Sequence, residues 1–338
     1  RLVLLGDVLE LRHGPHREAL EAARPFFSEL GEAFAGREVV IVAGNHDHAI
    51  LERWLQRRAE LPPSGALGLQ ERIAPAEASW MLEHIARWSE PARVSVAYPG
   101  VWVRPDVYAT HGHYLDCHMT LPTMECVGIG VMSRLLRRPA TGFHRLEDYE
   151  AVMGPVFAWI DSVAQLAPET DALNGQSTVR AWMALRGQRD KEGMWPAVRS
   201  RLITGAFPVG VALLNRAGVG HFNPDISGAA LRRAGLSAMG EVTRRLGLAD
   251  TYVVFGHTHR AGPLPEDPQI EWSAAGGARL INSGCWTYEP HFLTATPGES
   301  PYWPGACVLV EDEGPPTPPV LKRLLADRSH SDLSASAN

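Results

Sequence analysis

Residues 39–47 of the chain read Val-Val-Ile-Val-Ala-Gly-Asn-His-Asp. A short apolar run that is rich in β-branched residues and closed by glycine is typical of a buried strand. The polar residues from Gly44 onward then form a turn at the carboxyl end of that strand, where open α/β sheets build their sites. This stretch therefore predicts a strand with a functional site attached directly to it.

Three other short apolar runs end in the same way. Between the first two strands of the chain, residues 17–34 carry apolar side chains at helical spacing, which predicts a β-α-β unit. Strands that each end in metal-ligating residue types predict an α/β sheet with one shared site. The three runs and their turns are Leu2–Leu5 with Gly6-Asp7, Val107–Thr110 with His111-Gly112-His113, and Tyr252–Phe255 with Gly256-His257-Thr258-His259.

The rest of the predicted body comes from weaker signals. Val94–Val96 and Val101–Val103 flank Tyr98-Pro99-Gly100 and predict a hairpin. Arg279–Asn282 and Ala306–Val310 predict two more strands. Together with the site-bearing strands, these elements indicate a mixed α/β body of two sheets.

Residues 117–250 differ from the rest of the chain, because their apolar positions recur at helical spacing. This spacing predicts a helical insertion, or cap, beside the site. We therefore assign residues 1–116 and 251–326 to the core, residues 117–250 to the insertion and residues 327–338 to a disordered polar tail. The candidate helices of the insertion are Leu121–Leu136, Tyr149–Leu166, Val179–Leu185, Val198–Leu214 and Ala229–Leu246.

The composition excludes several classes of protein. Of 338 residues, 45% are hydrophobic, which rules out a disordered chain, and a formal net charge of −6 argues against a nucleic-acid partner. No apolar run reaches the roughly 18 residues that a transmembrane segment needs. The four cysteines form no C-x-x-C pair, so we expect a reducing compartment and a cytoplasmic location.

The four turns supply a set of metal-binding side chains. A carboxylate, an amide oxygen and three imidazoles suit manganese, iron, zinc or nickel better than calcium or magnesium. His257 and His259 would point to opposite faces of a continuing strand, so both can bind an ion only if the chain turns after Gly256. The candidate ligands are Asp7, Asn45, His111, His257 and His259.

In this order the motifs resemble those of the calcineurin-like metallophosphoesterase superfamily, whose pattern is D-x-H, G-D, G-N-H-D/E, H-G and G-H-x-H. A lone Gly-Asp pair carries little information, whereas the ordered set is specific. The resemblance implies an αββα sandwich of two sheets with a helical insertion. It also implies a metal-dependent phosphohydrolase that cleaves a phosphate ester or anhydride. The motifs present are Gly6-Asp7, Gly44-Asn45-His46-Asp47, His111-Gly112 and Gly256-His257-Thr258-His259.

The resemblance further implies a role for each matching residue. Asp7 would bridge two divalent transition-metal ions, manganese being the first choice before iron, zinc or nickel, and His259 would bind the second ion. His46 would donate a proton to the leaving oxygen and would be oriented by Asp47. A hydroxide that bridges the ions would attack the phosphorus atom. The first ion's remaining ligands would be Asn45, His111 and His257.

The D-x-H motif of the family has no counterpart in this chain, which starts at Arg1. Because the later ligands are intact, we expect the motif to lie upstream. Without it the second ion would bind weakly, and the protein would be a non-catalytic scaffold that keeps the fold. This scaffold is the main alternative, and a helix-rich nucleic-acid binder is the least favoured one.

Residues beside the ligands are candidate substrate contacts. His113 would either touch substrate or orient a ligand, and Arg260 would either bind a phosphate oxygen or lie in solvent. Glu10, which follows Asp7, is expected to be structural or solvent-facing.

The insertion leaves the substrate open between a phosphorylated small molecule and a lipid. Ala206–Leu214 is apolar, and Arg134, Arg137 and Arg138 provide basic edges that suit an anionic membrane or a lipid diphosphate. The favoured interpretation is that the apolar residues pack a core belonging to the insertion. A nucleotide-lipid pyrophosphatase acting peripherally at a membrane is the specific alternative, and the oligomeric state is left open.

Overall fold

The computed structural model describes residues 1–60, 66–166, 207–225, 227–313 and 316–335. Within these ranges the strands of the main sheet are β1 (Leu2–Leu5), β2 (Glu38–Val42), β3 (Gln70–Ile73), β4 (Arg93–Arg104), β5 (Val107–Thr110), β6 (Tyr252–Phe255) and β7 (Arg279–Asn282). They lie in the order β1-β2-β4-β5-β6-β7, with β3 paired to β4. The result is a curled, mostly parallel sheet, which confirms the predicted α/β class.

Helices occur in both the core and the insertion. The core helices are His16–Ala33, Glu52–Glu60, Pro75–Ala78 and Trp80–Trp88. In the insertion, Met124–Leu135, Leu146–Leu166 and Gly228–Arg245 confirm predicted helices, and residues 207–216 are helical as well. The predicted helix at 179–185 and the first part of the one at 198–214 lie outside the described residues. Among the described helices, none combines the length and apolar character that crossing a membrane requires.

The β-α-β unit at the start of the chain forms as predicted. β1 and β2 pair in parallel, and the helix His16–Ala33 connects them. Leu20, Phe27 and Leu30 are buried on one face of this helix and join the same apolar cluster as Ile41 of β2. Because parallel strands end at the same edge of a sheet, the polar turns after β1 and β2 emerge side by side.

The hairpin predicted from Val94–Val96 and Val101–Val103 is wrong, because β4 is one continuous strand. Its first half pairs with β2 and its second half pairs with β5. Gly100 lies where the strand changes partners, and a Cβ there would be 2.4 Å from the Tyr108 hydroxyl. The glycine therefore permits the close approach of β5, not a turn.

A separate two-stranded ribbon follows β7 in the chain. Ala306–Leu309 (β8) confirms the last predicted strand and pairs antiparallel with Val320–Arg323 (β9). β9 was not predicted, because its residues are exposed or only half-buried and give no continuous apolar run.

The polar tail predicted to be disordered is instead helical over His330–Ala335. The ring of His330 lies 5.0 Å from that of Trp303, and its Nδ1 lies 2.9 Å from the Tyr288 hydroxyl. These contacts with aromatic residues far away in the sequence fix the tail, and its own composition gives no sign of them.

The helix Leu146–Leu166 of the insertion packs directly on the core. Its residues Tyr149, Met153 and Phe157 belong to the same buried apolar cluster as Leu51. A small separate cluster in the insertion forms around Cys126, Val211 and Phe222. The expectation that residues 206–214 pack a core of the insertion is therefore confirmed for Phe207, Val211 and Leu214, whereas the helix Leu146–Leu166 joins the main core.

Candidate metal centre

The turns after β1, β2, β5 and β6 meet at one place. The backbone N–H of His46 donates to Asp7 Oδ1 at 2.9 Å, which joins the first two turns. His111 Nδ1 lies 2.9 Å from the Leu5 carbonyl oxygen, and the Gly256 N–H donates to the His111 carbonyl at 2.9 Å. The four motif-bearing turns thus form one hydrogen-bonded unit.

Two glycines of the motifs allow this close approach. A Cβ at Gly6 would lie 2.3 Å from His111 Nδ1, and a Cβ at Gly44 would lie 2.1 Å from Asp7 Oδ1. Both distances are far below van der Waals contact, so a side chain at either position would displace a candidate ligand.

The backbone is strained at three of the predicted ligands. Asp7, His257 and His259 have φ angles of 52°, 60° and 59°, in the left-handed region that non-glycine residues rarely adopt. Such strain clusters at functional sites. It also confirms that the chain turns after Gly256, as binding by both histidines requires.

Four of the predicted ligands bring one atom each to a common centre. Asp7 Oδ2 lies 3.2 Å from His111 Nε2. Asn45 Oδ1 lies 3.0 Å from that nitrogen and 3.1 Å from His257 Nδ1. One ligand atom each from Asp7, His111 and His257 lie within 4.8 Å of one another.

The outer nitrogen of each imidazole is held by an acceptor. The Leu5 carbonyl faces Nδ1 of His111, and the Asp116 carboxylate lies 3.0 Å from Nε2 of His257. When the rings are neutral, these partners accept the outer N–H, so the inner nitrogens carry lone pairs. A carboxylate oxygen, an amide oxygen and two imidazole nitrogens then converge, and a cation is what satisfies such a set.

The Asn45 amide has two useful orientations. With Oδ1 toward the centre it acts as a ligand. Turned over, its nitrogen would donate to His111 Nε2, His257 Nδ1 and Asp7 Oδ2, and its oxygen would accept from Arg12 at 3.0 Å. The first orientation suits an ion, and the second requires a neutral His111 whose Nε2 accepts the amide N–H.

At the centre, Asp7 and His111 each shift the pKa of the other. Burial raises the pKa of Asp7, but the charge of His111 and a hydrogen bond with it outweigh burial and hold the pKa well below 3.8. Burial lowers the pKa of His111, and the Asp7 carboxylate outweighs it, so the net pKa is raised above 6.5. Without an ion, these two residues therefore form an ion pair.

His46 pairs with Glu10, not with Asp47. Its Nδ1 lies 2.6 Å from Glu10 Oε2. Burial lowers the pKa of His46, but its hydrogen bond to Glu10 and the charge of Asp7 together outweigh burial, so the net pKa is raised. Glu10, expected to be structural or solvent-facing, is thus the carboxylate that orients His46.

Asp47 is fully buried and serves the backbone. Its Oδ1 accepts the Gly44 N–H at 2.6 Å, and its Oδ2 accepts those of Val8 and Leu9 at 2.8 and 3.4 Å. Its lone pairs therefore tie the turn after β1 to the turn after β2, and its catalytic role remains a prediction.

His259 lies beside this centre. In the described part of the chain the group that could hold an ion is Asp7, His111 and His257, and His259 is not part of it. Burial, together with repulsion by His257 and other imidazoles, lowers the pKa of His259 to about 4 despite the charge of Asp7. Its role at a second ion remains a prediction.

Both candidate substrate contacts are buried side chains. His113 is 1% exposed, and both of its ring nitrogens lack a hydrogen-bond partner among the described residues. Arg260 is buried and donates to both carboxylate oxygens of Asp267, at 2.6 and 2.9 Å. Arg260 therefore pairs with a carboxylate in this structure, and its contact with substrate remains a prediction.

Sequence reasoning missed Glu10, Asp116 and Arg12. Glu10 lies three residues after Asp7 and Asp116 five after His111, so their proximity to ligands was a usable signal. Arg12 gave none. Its guanidinium is buried, donates to the Asn45 carbonyl at 2.8 Å and lies 5.7 Å from the Phe157 ring.

Comparison with protein-family models, with curated proteins and with solved structures found no match for this chain. The functional interpretation therefore depends on the residues and their geometry.

Proposed function

We propose that this chain is a metal-dependent phosphohydrolase that cleaves a phosphate ester or anhydride. The observation that carries the proposal is the convergence of lone pairs from Asp7, Asn45, His111 and His257. His46 and its carboxylate partner lie in the same turns. Metal ligands next to a separately oriented imidazole suit hydrolysis that needs both an electrophile and a proton donor.

The donor set fits a divalent transition metal. Oxygen and imidazole ligands together suit manganese, iron, zinc or nickel, and manganese is our first candidate. The outer contacts to Leu5 and Asp116 are those that usually fix histidine ligands. Bound there, such an ion supplies positive charge to a phosphoryl oxygen and acidifies the attacking water.

His46 supplies the proton for the leaving oxygen. Glu10 holds Nδ1, so Nε2 is the nitrogen from which the proton would be delivered. Asp7 also positions His46, because its Oδ1 accepts the His46 backbone N–H at 2.9 Å. The same carboxylate thus holds the ion and positions the residue that protonates the leaving group.

The family assignment and its finer features belong to the same proposal. These are membership of the calcineurin-like metallophosphoesterases, the two-sheet sandwich, and a second ion shared by Asp7 and His259. The positive φ at both residues and the order of the motifs support them.

A lipid phosphate is the substrate class that the exposed surface favours. Leu135 and Leu136 are 70% and 44% exposed, and Arg134, Arg137 and Arg138 are exposed beside them. Apolar side chains edged by arginine suit an anionic lipid surface. Binding to vesicles that contain anionic lipid, lost in Leu135→Asp, would support a nucleotide-lipid pyrophosphatase. Equal binding by both proteins would leave a soluble phosphate ester as the substrate class.

Metal content and hydrolysis test the main proposal together. Elemental analysis of protein purified without chelator should find transition metal, and the protein should hydrolyse a generic aryl phosphate diester with added Mn²⁺. Asp7→Ala should lose metal and activity. His46→Ala should keep its metal while turnover falls by about 10² to 10⁴. Metal-free, inactive wild-type protein would contradict the proposal and favour the scaffold.

A further inference from the structure

A second polar cluster lies behind the metal centre, where the helix Leu146–Leu166 crosses the core. Glu150 on this helix accepts hydrogen bonds from the hydroxyls of Tyr98 and Tyr114 on one carboxylate oxygen, the latter at 2.5 Å. Its other oxygen lies 3.4 Å from His48 Nε2. One carboxylate of the insertion therefore meets three polar groups of the core.

This cluster is costly unless its polar groups are paired. Tyr98, Tyr114 and His48 are buried, and the Glu150 side chain is only 16% exposed. A buried carboxylate destabilises a fold when its partners are missing, whereas a satisfied network selects one arrangement. Burial raises the pKa of Glu150, but hydrogen bonds from His48 and the two tyrosines lower it overall, which keeps the carboxylate ionised.

The core partners of Glu150 lie close in sequence to the metal centre. His48 follows Asn45 by three residues, and Tyr114 follows His111 by three. His48 and Tyr114 each belong to a short 3₁₀ turn that continues from a ligand-bearing loop, whereas Tyr98 lies on β4. Glu150 therefore connects two of the four loops through one side chain.

A second contact from the same helix reinforces the connection. Two turns after Glu150, the ring of Phe157 lies 5.1 Å from that of His48 and 5.7 Å from that of His113. The guanidinium of Arg12 lies 5.7 Å from the same ring. The helix thus packs against three of the four ligand-bearing loops from behind.

We propose that Glu150 is a positioning residue for the metal centre. Through His48 and Tyr114 it holds the loops that carry Asn45, His46 and His111 in register with each other. The helix Leu146–Leu166 is then a fixed wall of the centre. The effect on turnover rests on the proposed function, whereas the effect on ion binding can be measured without substrate.

The helix itself provides a matched control. Asp161, three turns after Glu150, also docks the helix, because its Oδ1 lies 2.6 Å from His16 Nε2. His16 begins the first helix of the core and does not belong to a ligand-bearing turn. Asp161→Asn should loosen the docking of the helix without disturbing the two ligand loops.

The test compares Mn²⁺ affinity by calorimetric titration, thermal midpoint and kinetic constants in wild type, Glu150→Gln, Glu150→Ala and Asp161→Asn. Glu150→Ala should weaken Mn²⁺ binding by about tenfold or more, as for other residues that orient ligands. Glu150→Gln, which keeps an oxygen for the tyrosine hydroxyls, should recover part of that loss. In both, kcat should fall more than KM rises, and Asp161→Asn should lower the midpoint while leaving Mn²⁺ affinity unchanged.

Each other outcome has a distinct meaning. If both Glu150 variants bind Mn²⁺ like wild type, Glu150 only stabilises the fold and the positioning role is wrong. If Asp161→Asn weakens Mn²⁺ binding as much as they do, the effect comes from helix docking in general, and the role is again wrong. If wild-type protein binds no Mn²⁺, the proposed function is wrong and this role with it.

Discussion

Nδ1 of His46 lies 2.6 Å from Oε2 of Glu10, whereas the neighbouring Asp47 points away into the backbone. Asp47, which follows His46 in the motif, is therefore structural. Glu10, three positions after Asp7, is the partner of His46. This arrangement separates catalysis from stability within one turn, so that variants can distinguish the two.

Glu10→Gln should move the alkaline limb of the activity profile to lower pH. Glu10 raises the pKa of His46, so without this carboxylate His46 loses its proton at a lower pH. Turnover above neutral pH should fall by about tenfold while metal content stays constant. Glu21→Gln, on an exposed pair with Arg17, is the control. An unchanged pH profile in Glu10→Gln would show that His46 does not depend on Glu10.

Asp47→Ala should destabilise the protein. Three backbone N–H groups would lose their acceptor, which costs about 1–3 kcal/mol for the free energy of unfolding. Denaturant titration in the presence of chelator measures this loss without the contribution of bound metal. A stable Asp47→Ala protein whose activity profile shifts with pH would support the predicted catalytic role of Asp47.

The ion-free protein should be most stable at mildly acidic pH. The pKa of Asp7 is lowered, so its contribution is complete above 3.8 and is lost as the pH falls through the lowered value. The pKa of His111 is raised, so its contribution is complete below 6.5 and is lost as the pH rises through the raised value.

Saturating Mn²⁺ should remove the alkaline part of this dependence. The ion replaces the proton of His111, so binding releases a proton and tightens as the pH rises. Thermal midpoints with chelator and with Mn²⁺, measured from acidic to alkaline pH, test both halves. Parallel curves under the two conditions would contradict a shared site for the ion and the proton.

Arg260→Ala should affect stability and not substrate binding. It removes two hydrogen bonds to the Asp267 carboxylate, which keeps the Leu264 N–H and lies 3.6 Å from Arg232, so the loss should be on the order of 1–3 kcal/mol. KM for the aryl diester should stay within error of wild type, with the exposed Arg87→Ala as control. A large rise in KM at normal stability would place Arg260 at the substrate site.

The sequence predicted those parts of the fold that repeat a local pattern. β1, β5, β6 and β7 begin and end at the expected residues, because each is an apolar run closed by a polar turn. The hairpin failed, since Tyr98-Pro99-Gly100 gives a turn signal by composition while the pairing of β4 with neighbours on both sides overrides it.

The sequence predicted which types of residue form the candidate site. It did not predict which side chains contact one another there. Motif order groups Asp7, Asn45, His111 and His257, but it does not show how they meet. β1 and β2 run antiparallel to β5 and β6, and their carboxyl ends come together near the middle of β4. Nothing local distinguishes Glu10 from Asp47 as the partner of His46, because the choice depends on which carboxylate is enclosed by backbone N–H groups. Long-range contacts such as Glu150 with His48 leave no pattern in a single sequence.

The continuity of β4 also limits the motions that are open to the molecule. Its first half pairs with β2, whose turn carries Asn45, and its second half pairs with β5, whose turn carries His111. A hinge motion that opened the centre would have to break strand pairing on one side of β4. The spacing between the candidate ligands is therefore set by the pairing of β4 with β2 and β5.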